Sequence, residues 1–427
     1  MLATLRHHLP ALGSVAVRGL GVLAGFGTTF LIGRNWGPEA NGTYALVTQT
    51  AIFLAVVAVG GLDMGVVRFF AAPLARGNRI AVASLWRTLA LTLALTTAVI
   101  AATLLVRAVF GPDLLGPLPT AALPALIVLL AARALIRALG AVLRAHRHYL
   151  LGQAIDGLFI PAMIVTPLAL GLLPDVEAAL LATAAAGLLS VGIGFAASLR
   201  AIRGPGRHAP VEHIPFRALL VASVPLWALI LAQVIADWYG LATVAAQLGT
   251  HEAGLYRVAM QFASAFTIVS VSLYNVYSPQ VSAAHATGDW DKVARLARSA
   301  TRLGSLLVLP PALLLALATP WVLSFIGPEF VAASTAMRCA IVGQMLFVAL
   351  GPPGLVLAMV GHERVMFVIS LACMGTMLVL APLAALHGGI VGVVLAISAV
   401  TVGRNLAEWL ALHRLTGVNA LTGAYKR

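Results

Sequence analysis

The residues best placed to do chemistry are nine charged side chains that interrupt long apolar runs of the sequence. They are Arg18, Arg133, Arg257, Arg338, Arg404, Asp63, Asp156, Asp237 and Glu408. An ionisable group inside hydrocarbon costs about 2.5–3.5 kcal/mol on insertion scales, so it usually faces a cavity or an opposite charge. We interpret Asp63, Arg133 and Asp156 as helix-end residues that reach toward the lipid headgroups. Arg404 and Glu408 stand four residues apart, which favours an ion pair within one helix.

Two apolar segments carry polar side chains along one helical face. At 100° per residue, an arc of about 80° on the segment near residues 253–279 holds Arg257, Gln261, Ser264, Ser272 and Asn275. An arc of about 120° on the segment near residues 216–238 holds Ser223, Trp227, Gln233 and Asp237. Such a stripe either packs against another helix through hydrogen bonds or lines a water-filled cavity, and both interpretations stay open.

The elements that carry these residues are membrane-spanning helices. Of the 427 residues, 61% are apolar and 10% are charged, against about 45–50% and about 25% in soluble domains. A soluble enzyme, a disordered chain and a disulfide-rich secreted scaffold are therefore excluded. Windows of about 20 apolar residues predict twelve spans, near residues 12–32, 43–64, 85–107, 118–138, 149–172, 177–199, 216–238, 253–279, 303–326, 331–360, 365–386 and 389–412.

The net charge of +13 is explained by membrane topology. With the N-terminus inside, twenty of the 27 Lys and Arg residues fall in inside segments and two fall in outside loops. Positive charge concentrates in cytoplasmic loops. The asymmetry predicts a multi-pass protein with both termini in the cytoplasm, and it makes a nucleic-acid partner unnecessary.

The sequence also repeats itself. At a shift of 212 residues, Gly37, Gly42, Tyr44 and Gln49 match Gly249, Gly254, Tyr256 and Gln261. Two further short matches follow in the same order at shifts of 216 and 214, the second aligning Gly140 with Gly354. These matches predict an all-α polytopic membrane protein with two six-helix bundles related by an internal repeat. The expected organisation is an N-terminal bundle over residues 1–200, a cytoplasmic linker over 201–215 and a C-terminal bundle over 216–427.

Catalytic and metal chemistry find little support in the sequence. No Cys or His cluster has metal-ligand spacing, and we interpret Cys339 and Cys373 as buried apolar residues without a disulfide. No loop exceeds about 25 residues, which leaves no room for a soluble catalytic domain. We therefore expect no catalytic residue, no metal site and no cofactor, while coupling to H⁺ or Na⁺ stays open.

Two runs of the sequence resemble a known family. The run FLIGRNWGPEANGTYALVTQTAIFLAVVAVGGLDMGVVRFFA and the second-half run LGTHEAGLYRVAMQF are similar to the Wzx-like, polysaccharide-exporting branch of the MOP superfamily (multidrug, oligosaccharidyl-lipid and polysaccharide exporters). The resemblance extends over nearly the whole chain. It implies a V-shaped pair of bundles in the bacterial inner membrane that exports a lipid-linked O-antigen, exopolysaccharide or capsule repeat unit by alternating access. Implied partners are the lipid-linked oligosaccharide, membrane lipids and other polysaccharide-assembly proteins.

The resemblance further implies a central cationic cavity lined by the first, second, seventh and eighth helices. Helix faces then assign the contacts. We expect Arg18 and Arg257 to bind the diphosphate of a polyprenyl carrier, because a guanidinium stays charged and can bind two phosphate oxygens. Asp237 would hold Arg257 or bind a coupling cation, and Pro225 is the candidate hinge. The remaining candidates would meet the sugar, Trp227 by stacking and the others through hydroxyl contacts: Gln233, Gln261 and Asn275.

The sequence leaves two alternative functions open. A MATE-like multidrug or metabolite exporter of the same superfamily would need an acidic site for organic cations, whereas the spans carry five arginines against four carboxylates. A polyprenyl-lipid-dependent membrane glycosyltransferase or polymerase would need paired carboxylates or a metal site on a sizeable loop. The pair Asp289 and Asp291 lies in a short basic loop and is better explained as a solvated helix start.

Overall fold

The computed structural model describes residues 2–111, 117–203, 210–212 and 216–425. Helices dominate these ranges: α1 (Leu2–Val59), α2 (Leu62–Ala75), α3 (Val82–Phe110), α4 (Leu123–Ala145), α5 (Tyr149–Gly157), α6 (Phe159–Ala169), α7 (Val176–Arg203), α8 (Phe216–Leu248), α9 (Thr250–Ser264), α10 (Thr267–Ala286), α11 (Trp290–Ser324), α12 (Ser334–Ala349), α13 (Pro353–Met359) and α14 (Glu363–Thr416). Two short 3-10 turns cover Thr120–Ala122 and Pro328–Ala333, and the strands are β1 (Arg79–Ile80) and β2 (Val211–Glu212).

The helices account for twelve membrane spans. In the described ranges, eight helical segments are long and apolar enough to cross a membrane, and the α5–α6 pair, bent by 49°, makes a ninth. Two of the eight are double, because α1 has 58 residues and α14 has 54, far more than a layer about 30 Å thick requires. Gly37 (φ 80°) and Gly389 (φ 56°) break their helical geometry. When α1 and α14 are each counted twice, and the α5–α6 pair and α8, of 33 residues, are added, the spans number twelve. The predicted all-α polytopic fold is therefore confirmed.

The chain divides into two compact units, Met1–Trp238 and Tyr239–Arg427. The division falls inside α8, so the first two thirds of this helix pack with the N-terminal half. The sequence repeat predicts a different division, into bundles over 1–200 and 216–427 joined by a linker over 201–215. This division stays a prediction.

Helix α4 is the centre of the first unit. It packs against α1, α2, α3, α5 and α7, and most of its small and branched residues are buried. Its approach to α5 is close, because a Cβ on Gly152 would lie 2.8 Å from the carbonyl oxygen of Gly140. Glycine at both positions therefore lets the two helix backbones touch.

The first part of α8 packs on the α1–α2 turn. A Cβ on Gly61 would lie 2.7 Å from the Cβ of Trp227, and Gly61 also needs φ 77°. Nearer the end of this segment, the indole N–H of Trp238 donates to Thr50 Oγ1 at 3.0 Å and the ring stacks on Phe53. Small residues at the turn and aromatic anchors on α8 fix this contact.

Helix α3 buries a row of hydroxyl groups. Thr88, Thr92 and Thr96 recur at helical spacing and are each 0–1% exposed. Each hydroxyl donates to the carbonyl four residues earlier in α3, at 2.6–2.8 Å. The row is buried without an unsatisfied polar group, because the helix supplies its own acceptors.

A parallel pair of two-residue strands joins the predicted linker to the loop after α2. Arg79 N donates to the carbonyl of Pro210 at 2.9 Å within the β1–β2 pair. The carboxylate of Glu212 accepts from Arg76 at 2.8 and 3.0 Å and from Asn78 at 2.9 Å. We call these contacts the Glu212 clasp. The hydrogen bond from Asn78, and then the hydrogen bonds and charge of Arg76, lower the pKa of Glu212 below its ordinary value.

In the second unit, α12 packs against α9, α11 and α14. A buried cluster joins α10, α11, α13 and the end of α14 to the C-terminal segment, where Val418 is fully buried. Val418 pairs with Tyr425 in an antiparallel bridge, and the Tyr425 ring stacks on Trp290 with centroids 6.0 Å apart.

Matching turns confirm the internal repeat. Left-handed backbone occurs at corresponding places in both halves, in the pairs Gly37 and Gly249, Gly77 and Gly288, Arg147 and Gly361, and Gly171 and Gly389. Gly37 and Gly249 also share ψ, at −174° and 173°. Three of the four pairs are glycine in both halves, as this backbone region favours. The exception, Arg147, is the one non-glycine residue of the described ranges with positive φ.

Candidate functional site

An arginine-lined cavity lies inside the first unit. Its volume is about 360 Å³, and α1, α4 and α5 form its walls. Its polar lining consists of Arg18, Arg133, Arg137, Gln153 and Asp156. Small-molecule sites typically measure about 300–1,000 Å³, so the cavity is large enough to hold a substrate headgroup.

Helix α4 supplies the positive charge as a stripe. Arg133, Arg137 and Arg144 are four and seven residues apart, which at 100° per residue keeps them within about 40° of one another. We call these three residues the α4 arginine stripe. The structure extends α4 to Ala145, so the stripe is continuous, although apolar length alone predicts that this span ends near residue 138.

A buried carboxylate holds the middle of the stripe. Arg137 Nη2 lies 2.6 Å from Asp63 Oδ2, with side chains 22% and 4% exposed. Asp63 stands in the first turn of α2, directly after the two left-handed glycines of the α1–α2 turn, and its other oxygen accepts from Met64 N at 3.0 Å. A carboxylate this deeply buried requires an opposite charge, and Arg137 provides it.

A second acidic residue holds the two ends of the stripe. Arg133 Nη1 donates to the carbonyl oxygen of Asp156 at 3.2 Å, and Arg144 Nη1 lies 3.6 Å from Asp156 Oδ2. Asp156 reaches both because the contact between Gly140 and Gly152 brings α5 against α4. Its side chain is 34% exposed, so this pair is looser than the pair at Asp63.

The site carries excess positive charge. Arg18 and the α4 arginine stripe supply four positive charges against the two carboxylates of Asp63 and Asp156. Among the described residues, the buried Nε atoms of Arg133 and Arg137 have no hydrogen-bond acceptor. Each guanidinium has five N–H donors, and the structure shows one hydrogen bond from each of these two. Such a site is suited to an anion with several oxygen acceptors.

The structure corrects part of the interpretation of Asp63, Arg133 and Asp156. Asp63 and Asp156 do lie in terminal turns, of α2 and α5, whereas Arg133 lies inside α4, and all three side chains face protein groups. Asp63 is 3% exposed and ion-paired, while Arg133 and Asp156 line the cavity. The spacing of Arg133, Arg137 and Arg144 could have revealed the stripe. The early end predicted for the fourth span hid it, because it assigned two of the three arginines to the cytoplasmic charge count.

The other predicted site residues are found in both units. Arg18 is exposed and lines the cavity. Trp227 donates its indole N–H to the carbonyl of Val56 at 2.9 Å, and Asp237 is exposed. In the second unit, Gln261 is 8% exposed and Arg257 is partly buried. The side chains that lie outside the described part of the chain are Pro225, Gln233 and Asn275.

The second unit has a polar cluster of its own. The predicted ion pair is confirmed, since Arg404 Nε lies 3.9 Å from Glu408 Oε1. Beside it, the buried amide of Asn405 donates to the carbonyls of Phe347 at 2.7 Å and Gly351 at 3.1 Å. These contacts join α14 to the end of α12 and hold the helices together.

Metal ligands are not grouped in the part of the chain that the structure describes, where no three His, Cys, Asp or Glu residues converge. Cys339 and Cys373 are both free thiols and partly buried.

Solved structures resemble this fold over nearly its full length. A multidrug resistance MATE family transporter of the MOP superfamily, in its inward-facing conformation, superposes with a TM-score of 0.70 at 15% identity and covers 95% of this chain and 97% of its own. The chain has the fold of MOP-superfamily transporters. The lipid II flippase MurJ, in its inward closed conformation, gives a TM-score of 0.63 at 12% identity, covering 94% and 87%. A Vibrio cholerae MATE transporter gives 0.61 at 12%, covering 97% and 98%.

No protein-family profile and no curated protein sequence matches the chain. The TM-scores of 0.70 and 0.63 establish a shared fold, and at 12–15% identity the likeness extends to the fold alone.

Proposed function

We propose that this protein is a flippase that carries a polyprenyl-diphosphate-linked oligosaccharide across the bacterial inner membrane by alternating access. It would deliver O-antigen, exopolysaccharide or capsule repeat units to the outer leaflet. The observation that carries the proposal is the cavity in the first unit, which Arg18, Arg133 and Arg137 line. On this proposal the chain is a transporter, not an enzyme.

The charge of the cavity favours an anionic substrate. Arginine stays protonated in a low-dielectric site and binds phosphate oxygens in pairs. An organic cation would meet net positive charge, since Arg18, Arg133 and Arg137 line the cavity together with the carboxylate of Asp156. The similarity of the fold to a lipid II flippase also supports a lipid-linked substrate.

The remaining predicted contacts extend this proposal. On this proposal Arg18 and Arg257 would bind the diphosphate, Asp237 would hold Arg257 or bind a coupling cation, and Pro225 would be the hinge of α8. Trp227 already donates its indole N–H to Val56, so its part in sugar binding is stacking through the ring face. The amides that meet the sugar hydroxyls are Gln233, Gln261 and Asn275.

Deletion of the gene tests the function. Lipid-linked oligosaccharide is measured by mass spectrometry, and its leaflet is determined with a membrane-impermeant probe. We expect the intermediate to accumulate in the inner leaflet. Normal delivery to the outer leaflet would contradict the proposal.

Single substitutions test the assigned site. Arg18→Ala and Arg257→Ala should abolish complementation of the deletion strain while membrane insertion stays normal. Arg200→Ala is the matched control, because this exposed arginine lies in the last turn of α7 outside the cavity lining. Wild-type complementation by both site variants would refute the assignment.

A second candidate is export of drugs or metabolites, which the similarity to MATE transporters favours. A drug-susceptibility screen of the deletion strain separates the two. Broad sensitisation to cationic drugs, with normal lipid-linked oligosaccharide, would favour this alternative.

A further inference from the structure

We infer that Arg133 and Arg137 form a phosphate subsite inside the first unit, and that Asp63 acts there as an internal counter-ion with which the substrate diphosphate competes. The inference rests on the proposed function and deepens it by naming the groups that recognise the diphosphate. Neither Arg133 nor Arg137 was assigned a binding role from the sequence, and both lie on α4.

The spacing of the two arginines suits a diphosphate. Four residues of α-helix separate their Cα atoms by about 6 Å along the axis, and both side chains face the same cavity. Two guanidinium groups on one face can therefore each bind one phosphate of the same headgroup. Arg18 reaches this cavity from α1 and adds a third charge at the more exposed end.

The donors needed for this binding are available. Arg133 donates one hydrogen bond, to a backbone carbonyl, and Arg137 donates one, to Asp63. Their buried Nε atoms have no acceptor within the described residues. A guanidinium with so few acceptors remains strongly attractive to an anion, because water cannot fully replace the missing partners in a buried site.

Asp63 decides how strongly the subsite binds. Its carboxylate lies 2.6 Å from Arg137 and is almost fully buried, so it neutralises this guanidinium when no substrate is bound. The charged groups around this pair are Arg133 and Arg144 on α4, Asp156 on α5 and Arg18 on α1. A diphosphate must compete with the Asp63 carboxylate for Arg137. Removing the charge of Asp63 while keeping its shape should therefore strengthen anion binding.

The phosphate could come from three sources, namely a polyprenyl diphosphate, an ordinary phospholipid headgroup or free inorganic diphosphate. The full-length protein in nanodiscs is titrated with farnesyl diphosphate, with inorganic pyrophosphate and, separately, with increasing phosphatidylglycerol in the bilayer. We expect farnesyl diphosphate to bind most tightly, pyrophosphate to compete with it, and phosphatidylglycerol to compete weakly. Binding of phosphatidylglycerol in preference to both diphosphates would overturn the assignment to the substrate.

Variants give the decisive result. Arg133→Gln and Arg137→Gln should each weaken farnesyl diphosphate binding about tenfold, as expected for a charged hydrogen-bonding group, and Lys at either position should restore part of it. Asp63→Asn should tighten binding by about the same factor. Arg200→Gln, outside the cavity lining, should leave binding unchanged.

The outcomes separate this inference from the proposed function. Unchanged binding in both glutamine variants overturns the subsite, even when the deletion strain accumulates the lipid-linked intermediate. Unchanged or weaker binding in Asp63→Asn overturns the counter-ion role, and this gain-of-binding test does not depend on the stability of the arginine variants. Normal flipping in the deletion strain, together with arginine-dependent diphosphate binding, would leave the subsite in place and refute the function.

Discussion

The two halves of the chain repeat the same turns around different interiors. The shift of 214 residues that aligns Gly140 with Gly354 also aligns Arg133 with Phe347 and Arg137 with Gly351. In the first half these positions carry arginine side chains that line a cavity. In the second half their backbone carbonyls accept hydrogen bonds from the buried amide of Asn405.

The difference shows which parts of a duplicated fold are constrained. Left-handed turns recur in both halves because the chain reverses at the same places, and glycine is the cheapest residue there. The helix interiors, by contrast, differ in the contacts that hold their buried polar groups. At the aligned positions, the first half has ion pairs of Arg137 and Arg144 around a cavity, whereas the second half has the hydrogen bonds of Asn405 beside its own ion pair, Arg404–Glu408.

The largest expected effect comes from breaking the ion pair of the first half. Asp63→Ala leaves Arg137 without its buried partner, which should lower the free energy of unfolding by about 3–5 kcal/mol. Unfolding in detergent micelles with SDS as denaturant measures this change. Asp175→Ala is the control, because this exposed residue only accepts from Ala178 N at the start of α7, and we expect it to cost about 1 kcal/mol. Equal losses in the two variants would contradict the role of the pair.

The hydrogen bonds of Asn405 in the second half should contribute less to stability than the Asp63–Arg137 ion pair does in the first half. Asn405→Leu removes both donors and leaves the carbonyls of Phe347 and Gly351 without this partner, at a cost of about 2 kcal/mol in the free energy of unfolding. The same titration measures it, with Gln280→Leu as control, since that exposed amide bonds only within its own helix. A loss no larger than in the control would show that the bridge does not support the second half.

The one mismatched turn provides a smaller test. Gly361 has φ 85° and its counterpart Arg147 has φ 65°, a conformation that costs a side-chain-bearing residue about 1 kcal/mol. Gly361→Arg should therefore destabilise the second half by about this amount, and Arg147→Gly should stabilise the first half slightly. Arg147→Ala, which removes the side chain but not the strain, controls for the loss of charge. A gain in this alanine variant equal to that in Arg147→Gly would show that charge, not backbone, sets the difference.

The smallest effect concerns the loops after the second helix of each half. The first-half loop is held by the Glu212 clasp, whereas the second-half loop ends with Asp289 capping its own helix through Lys292 N at 2.8 Å. Because its pKa is lowered, Glu212 contributes fully above the ordinary glutamate pKa, and its contribution is lost as pH falls through the lowered value. The protection factor of the Arg79 amide, which is its intrinsic exchange rate at each pH divided by its observed rate, should fall over that acidic window in the wild type. In Glu212→Gln the Arg79 amide should exchange faster at neutral pH, and its protection factor should no longer depend on pH in this way. Identical protection profiles in the wild type and the variant would show that the Glu212 clasp does not hold this loop.

Much of the fold follows from the sequence because membrane helices have simple requirements. Apolar length gives the spans, arginine asymmetry gives the topology, and the repeat is visible in residues such as Gly37 and Gly249. The ion pair between Arg404 and Glu408 was also predictable, since both lie on one helix at a spacing of four.

The candidate site was only partly predictable. Arg18 was identified because it interrupts an apolar run, but the pairing of Asp63 with Arg137 joins residues 74 positions apart. No helical period relates two residues on different elements, so their contact depends on how α2 packs against α4. The end of α4 was also hard to predict, because the charged end of a membrane helix and a cytoplasmic loop have the same amino-acid composition. Arg137 and Arg144 could therefore be assigned to either one.

The threonine row of α3 has a mechanical consequence. Thr88, Thr92 and Thr96 hydrogen-bond within α3 itself, although that helix packs against α1, α4 and α7. Because these hydroxyls are satisfied inside α3, they place no directional demand on the neighbouring helices, and the packing of this buried row depends on non-directional apolar contact. The row is therefore polar in composition, yet it fixes neither the register nor the axial position of α3 through hydrogen bonds to other helices.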